Sequence, residues 1–61
     1  MQRIKALRER KGWSQSELAR RAGVTSQYIV QLESGARKNP SLDVLRKLAD
    51  ALDVKVESLL R

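Results

Sequence analysis

Gln27 and Gln31 stand four residues apart in the stretch GVTSQYIVQLESG, Gly23 to Gly35. A carboxamide is the side chain that best matches the major-groove edge of adenine, donating to N7 and accepting from the N6 amino group. Ser26 and Ser34 add hydroxyls, and Val30 adds an isopropyl group suited to a thymine methyl. The Tyr28 ring is a further candidate for that methyl. None of these residues is charged. On a helix with Ser26 at zero, Ser26, Val30, Ser34, Gln27 and Gln31 share an arc of about 140° at 100° per residue. Tyr28, Ile29, Leu32 and Glu33 take the other side. A helix face that only meets water is usually given charged residues. An ordinary polar surface with one stray valine has the same composition, so the pattern alone leaves both readings open.

The elements that must hold this face are well punctuated. A first helix runs from about Gln2 to Lys11, with Ile4 and Leu7 inward and Gly12 at its end. Ser14 opens a second, about 15–22, and Ser14 with Glu17 fits the reciprocal capping box. Leu18, Ala19 and Ala22 form its inner face, and Gly23 stops it. Thr25 is a good N-cap for a third helix, about 26–34, which Gly35 ends. The loop ARKNP follows, and Pro40 disfavours helix at Asn39. Ser41 caps a fourth helix, about Leu42 to Leu52, with Leu42, Leu45, Leu48, Ala49 and Leu52 inward. A fifth, about Val56 to Leu60, starts on Lys55, a poor cap, so fraying is expected. The fold class is all-α: a compact five-helix bundle. The turn Ala22-Gly23-Val24-Thr25 is too short to make its two helices antiparallel neighbours, and sets them at a steep angle as a helix-turn-helix.

Composition narrows the chemistry. Sixty-one residues make one domain, 1–61, and such a chain buries only about 60% of its unfolded surface. There is no Cys and no His. Disulfides, thiolate metal sites and the commonest general base are therefore excluded. With no paired carboxylates in a plausible cleft, no enzyme, metal or cofactor is expected. No apolar run approaches the roughly 18 residues of a membrane span. The basic N-terminus lacks a signal peptide's apolar block. A soluble, cytoplasmic protein is expected. The net charge of +6 is uneven. Residues 1–12 hold five positive charges and one negative, and residues 36–40 hold two positive charges, Arg37 and Lys38; the rest of the chain is balanced. Nucleic acid or an anionic membrane surface would suit that distribution, as would simple solubility.

At WSQSELARRAGVTSQYIVQLESG the chain resembles the helix-turn-helix domain of the lambdoid phage repressor and Cro proteins and their bacterial relatives, the XRE family. The residues carrying the resemblance are Ser14-Gln15, Glu17-Leu18-Ala19, Gly23, Ile29, Leu32-Glu33, Gly35, Asn39-Pro40, Leu42, Leu45 and Leu48. It covers nearly the whole chain. It implies sequence-specific binding of double-stranded DNA, with the third helix in the major groove and a role in repression. Ser26, Gln27 and Gln31 stand at its base-reading positions, with Val30 and Tyr28 beside them. Gln15, Thr25, Arg37, Lys38 and Asn39 would meet phosphates, and Gln15 would also brace a side chain of the third helix. Arg8 and Glu33 match a structural salt bridge between the first and third helices. Trp13 replaces an aliphatic residue and is expected to pack as core. A two-fold contact is implied near Val56, Leu59 and Leu60, giving at most a weak homodimer formed on DNA. No small-molecule ligand is implied.

The rival readings differ in what they need. A protein-interaction module of the same fold, an antitoxin or a coactivator bridge, needs an exposed apolar patch; only Val30, Val56 and the C-terminal leucines offer one. Membrane binding by the first helix competes poorly, because Ile4 and Leu7 are needed in the core.

Overall fold

Three hydroxyls start three of the helices in the computed structural model, which describes residues 1–60. The side chains of Ser14, Thr25 and Ser41 accept from the backbone N–H groups of Glu17, Tyr28 and Val44 at 3.0, 3.1 and 3.2 Å. Each satisfies a donor that the first helical turn leaves unpaired. They open α2 (Gln15–Ala22), α3 (Ser26–Ser34) and α4 (Leu42–Leu52). α1 (Gln2–Arg10) precedes them, and α5 (Val56–Leu59) is a single turn that Lys55 leaves without a side-chain cap. The described residues form five helices and no strand, the all-α architecture expected from the sequence.

The capping box at Ser14 is only half formed. Glu17 does not reach back to Ser14; its carboxylate takes Arg20, and also Arg21 at 2.6 Å. Two cations three and four residues on form charge-assisted bonds that a neutral N–H cannot match. These bonds also hold the Glu17 carboxyl below its ordinary pKa.

The ends of α2 and α3 depend on glycine. Gly23 has φ 73° and Gly35 has φ 88°, the left-handed region where a Cβ is strained. At Gly23 the reversal lets the Val24 N–H bond the Ala19 carbonyl at 3.0 Å, so the chain leaves α2 and enters α3 within three residues. α4 ends in the same conformation on Asp53, φ 57°, a residue type that tolerates it.

Every helix contributes to one core. Ile4 and Leu7 come from α1; Leu18, Ala19 and Ala22 from α2; Ile29 and Leu32 from α3. Leu45, Leu48, Ala49 and Leu52 come from α4, and Leu59 from α5. α2 packs on α3 and α4, α1 on α3 and α5. Leu42, expected inward, is 56% exposed. It continues the apolar stripe of α4, but in the first turn that stripe has run past its neighbours. Trp13 is half-buried against the core, and its outer ring face carries the Arg21 guanidinium, 4.3 Å from the centroid.

One polar group lies inside. Arg8 of α1 meets Glu33 of α3 through Nε–Oε2 at 2.6 Å and Nη2–Oε1 at 3.0 Å. The Gln15 amide of α2 donates to Glu33 Oε1 at 3.1 Å, and Arg8 Nη1 donates to the Trp13 carbonyl at 2.7 Å. No buried side-chain nitrogen or oxygen among the described residues lacks a partner. Burial alone would raise the Glu33 pKa; hydrogen bonds from Arg8 and Gln15, with the Arg8 charge, outweigh it and hold the carboxyl below its ordinary value. The Arg8 pKa is raised, chiefly by its hydrogen bond to Glu33.

Three outcomes are expected in urea denaturation. Leu48→Ala costs about 2–5 kcal/mol, whereas the cost of Leu42→Ala stays near about 0.5 kcal/mol. Glu33→Ala costs about 3–5 kcal/mol through the Arg8 charge it orphans; a shift well under about 1 kcal/mol would contradict that account. Because folding lowers the Glu33 pKa, its contribution is present at neutral pH and is lost as pH falls below the ordinary value of 4.5. The stability gap between wild type and Glu33→Gln therefore narrows below that pH.

Candidate nucleic-acid interface

α3 is two-sided in space as well as in sequence. Ile29, Leu32 and Glu33 are buried, while Ser26, Gln27, Val30 and Ser34 are exposed. Val30 is one of three large apolar residues on the described surface, 43% exposed among polar neighbours. No carboxylate lies on this outer face, since the one acid of α3, Glu33, points into the core. The face stands proud because the hydrophobic inner side and the Arg8–Glu33–Gln15 group fix the helix from beneath.

Gln31 and Tyr28 are half-buried. Tyr28 packs against the core, and Arg37 turns back over the last turn of α3 to meet both residues. The Arg37 guanidinium lies 4.7 Å from the Tyr28 ring centroid, and its Nε donates to Gln31 Oε1 at 3.3 Å. The sequence placed Arg37 only in a basic loop. Positions 31 and 37 match no helical spacing, so the one local hint is Gly35, whose left-handed φ reverses the chain after α3.

The remaining candidates ring that face. Gln15 is the first residue of α2, and its amide is turned to Glu33. Thr25 is exposed and its Oγ1 accepts from Tyr28, which leaves its own proton free to donate. Lys38 and Asn39 are exposed on the loop between α3 and α4. A cleft of about 380 Å³ opens beside the face, lined by Lys5, Arg8, Gln15, Val30, Glu33 and Ser34. Helix N-termini and exposed cations beside a neutral ridge form a surface for an anionic, grooved polymer.

The C-terminal patch needs correction. Leu59, expected at a homodimer contact, is 1% exposed and belongs to the core. A single-turn helix has few ways to anchor itself, and Leu59 is its anchor. Val56 is half-buried, and Leu60, 63% exposed, is the open residue of the three.

A family model described as helix-turn-helix matches residues 4–59. The transcriptional regulator SinR of Bacillus subtilis (strain 168) is 48% identical over 59 residues, 97% of this chain and 53% of SinR. The immunity repressor protein of Bacillus phage phi105 is 38% identical over 58 residues, 95% of this chain and 40% of that repressor. The chain thus spans about half the length of SinR. The solved N-terminal DNA binding domain of SinR superposes with a TM-score of 0.93 at 47% identity, covering 98% of this chain and 87% of that one. A crystal structure of SinR in complex with DNA gives a TM-score of 0.95 at 47% identity, covering 98% of this chain and 95% of that one. With the fold, the turn and nearly the full length in agreement, this chain belongs to the helix-turn-helix family.

Proposed function

We propose that the chain binds double-stranded DNA sequence-specifically and regulates transcription, as a repressor that occupies a promoter. The observation carrying this reading is the exposed outer face of α3: amides, hydroxyls and one isopropyl group, with no charge, between basic flanks. The DNA-bound state of a relative with the same fold supports it. α3 lies in the major groove. Ser26, Gln27 and Gln31 read base edges, Val30 meets a thymine methyl, and Tyr28 lies at the margin. Gln15 and Thr25, at the starts of α2 and α3, and Lys38 and Asn39 on the loop hold phosphates; Arg37 adds charge beside them. Phosphates supply most of the affinity, and base edges the choice of site.

No helix among the described residues is long and apolar enough to cross a membrane. A cytoplasmic location on the nucleoid follows from the proposed partner. No catalysis is proposed. Two copies would occupy half-sites about 34–36 Å apart, one turn of the duplex. Any contact between them would rest on Leu60 and Val56, because Leu59 is enclosed.

Binding measured against salt on a selected duplex and on random DNA tests this. Gln27→Ala costs about 1–3 kcal/mol on the selected duplex and relaxes one base position. Equal losses on both DNAs would refute base readout by that residue. Lys38→Ala weakens both alike and lowers the salt slope by about 1. An effect confined to one sequence would remove Lys38 from the phosphate set.

A further inference from the structure

The two amides of the reading face are in different states. The Gln27 side chain is exposed and makes no hydrogen bond among the described residues, so both ends of its amide are open to DNA. Gln31 is committed. Its side-chain oxygen accepts from Arg37 Nε at 3.3 Å, and its main-chain oxygen accepts from the Arg37 N–H at 3.1 Å. The Ser34 hydroxyl donates to that same carbonyl at 3.2 Å, and the Ala36 N–H donates to Ser34 Oγ at 3.3 Å. The turn that returns Arg37 to α3 is therefore bonded along its length, and the Tyr28 ring holds the guanidinium from the other side.

The direction of the Gln31 amide follows from chemistry. A guanidinium carries donors only. Whichever way the amide is rotated, only its oxygen can face Arg37. The nitrogen, with two donor protons, is turned away from Arg37.

We propose that Arg37 is a positioning residue that holds the Gln31 amide oxygen to itself and leaves the amide nitrogen as the group presented to a base, so that cytosine is disfavoured at the base position opposite it. The proposal rests on the DNA-binding reading above and deepens it. In the major groove guanine offers N7 and O6, adenine N7 and thymine O4, all acceptors; cytosine offers only its N4 amino donors. An amide nitrogen meets a partner on the first three and a like group on the fourth. An unmatched donor that is buried in the interface is what makes such a rejection large. Gln27, free at both ends, keeps the bidentate choice of adenine.

Selection of bound sequences from random duplex DNA tests this with wild type, Gln31→Ala, Arg37→Ala and Lys38→Ala. Circular dichroism checks that each variant is folded. Arg37 is exposed, and its loss leaves the core intact. Wild type depletes cytosine roughly tenfold at one position, which Gln31→Ala identifies by losing the preference. Arg37→Ala restores cytosine there to within about twofold of the other bases and leaves the Gln27 position unchanged. Lys38→Ala keeps the depletion while weakening every duplex. If cytosine stays depleted in Arg37→Ala and affinity falls evenly on all duplexes, Arg37 is a phosphate contact and the proposal fails. If wild type selects no sequence at all, the DNA-reading function fails, and this proposal with it.

Discussion

The buried group of Arg8, Glu33 and Gln15 is the constraint on which the rest depends. It joins three helices at one point: α1 gives the guanidinium, α3 the carboxylate and α2 the amide. Burying two opposite charges gains little net stability over an apolar pair, because desolvation offsets most of the attraction. What it gains is a unique arrangement. Leucines tolerate a slide or a small rotation of one helix on another; a bidentate guanidinium–carboxylate pair with a third hydrogen bond does not. The fixed element is α3, whose opposite side is the proposed reading face. A rotation of that helix by one residue, about 100°, would swing Glu33 outward and Gln27 inward.

Much of this was readable from residue type and spacing. Gly12, Gly23 and Gly35 with Ser14, Thr25 and Ser41 punctuate the helices, and the 3.6-residue period separates the two sides of α3 without any structure. What escaped were contacts that cross the period. The Arg37–Gln31 bond joins a loop to a helix six residues back and depends on the path after Gly35. The motif pairs Glu17 with Ser14, but Arg20 and Arg21 offer it charged partners. Leu42 is exposed for a reason of another kind. Periodicity tells which side of a helix is apolar, not where along its length a neighbour stops covering it.

α3 also departs from what local helix stability alone would select. Serine and valine are weaker helix formers than alanine, lysine or glutamate, and α3 holds Ser26, Val30 and Ser34 in nine residues. Such a helix would not persist alone in water. It is held by Thr25 at one end, the Gly35 reversal at the other, and Ile29, Leu32 and Glu33 beneath. Departures from a local rule gather at functional sites when the surrounding structure can carry them. Here Ser26, Val30 and Ser34 lie on the outer face, and the groups that hold the helix lie at its ends or inside.

Charge placement completes the same logic. Lysine or arginine on the outer face would strengthen attraction to DNA, but a flexible ammonium bonds to phosphates and to several base acceptors without much discrimination. An aspartate or glutamate there would be repelled by the backbone before it reached a base. Neutral amides avoid both, at a smaller desolvation cost on entering the groove than a charge carries. They also discriminate, because an amide presents a donor and an acceptor side by side and its meaning depends on which one is turned outward. Under the proposed function, the long-range attraction comes from the N-terminal helix and the 36–40 loop, and the short-range choice from uncharged groups. Arg37 stands at the junction: a cation from the basic loop whose guanidinium sets the orientation of an amide on the neutral face.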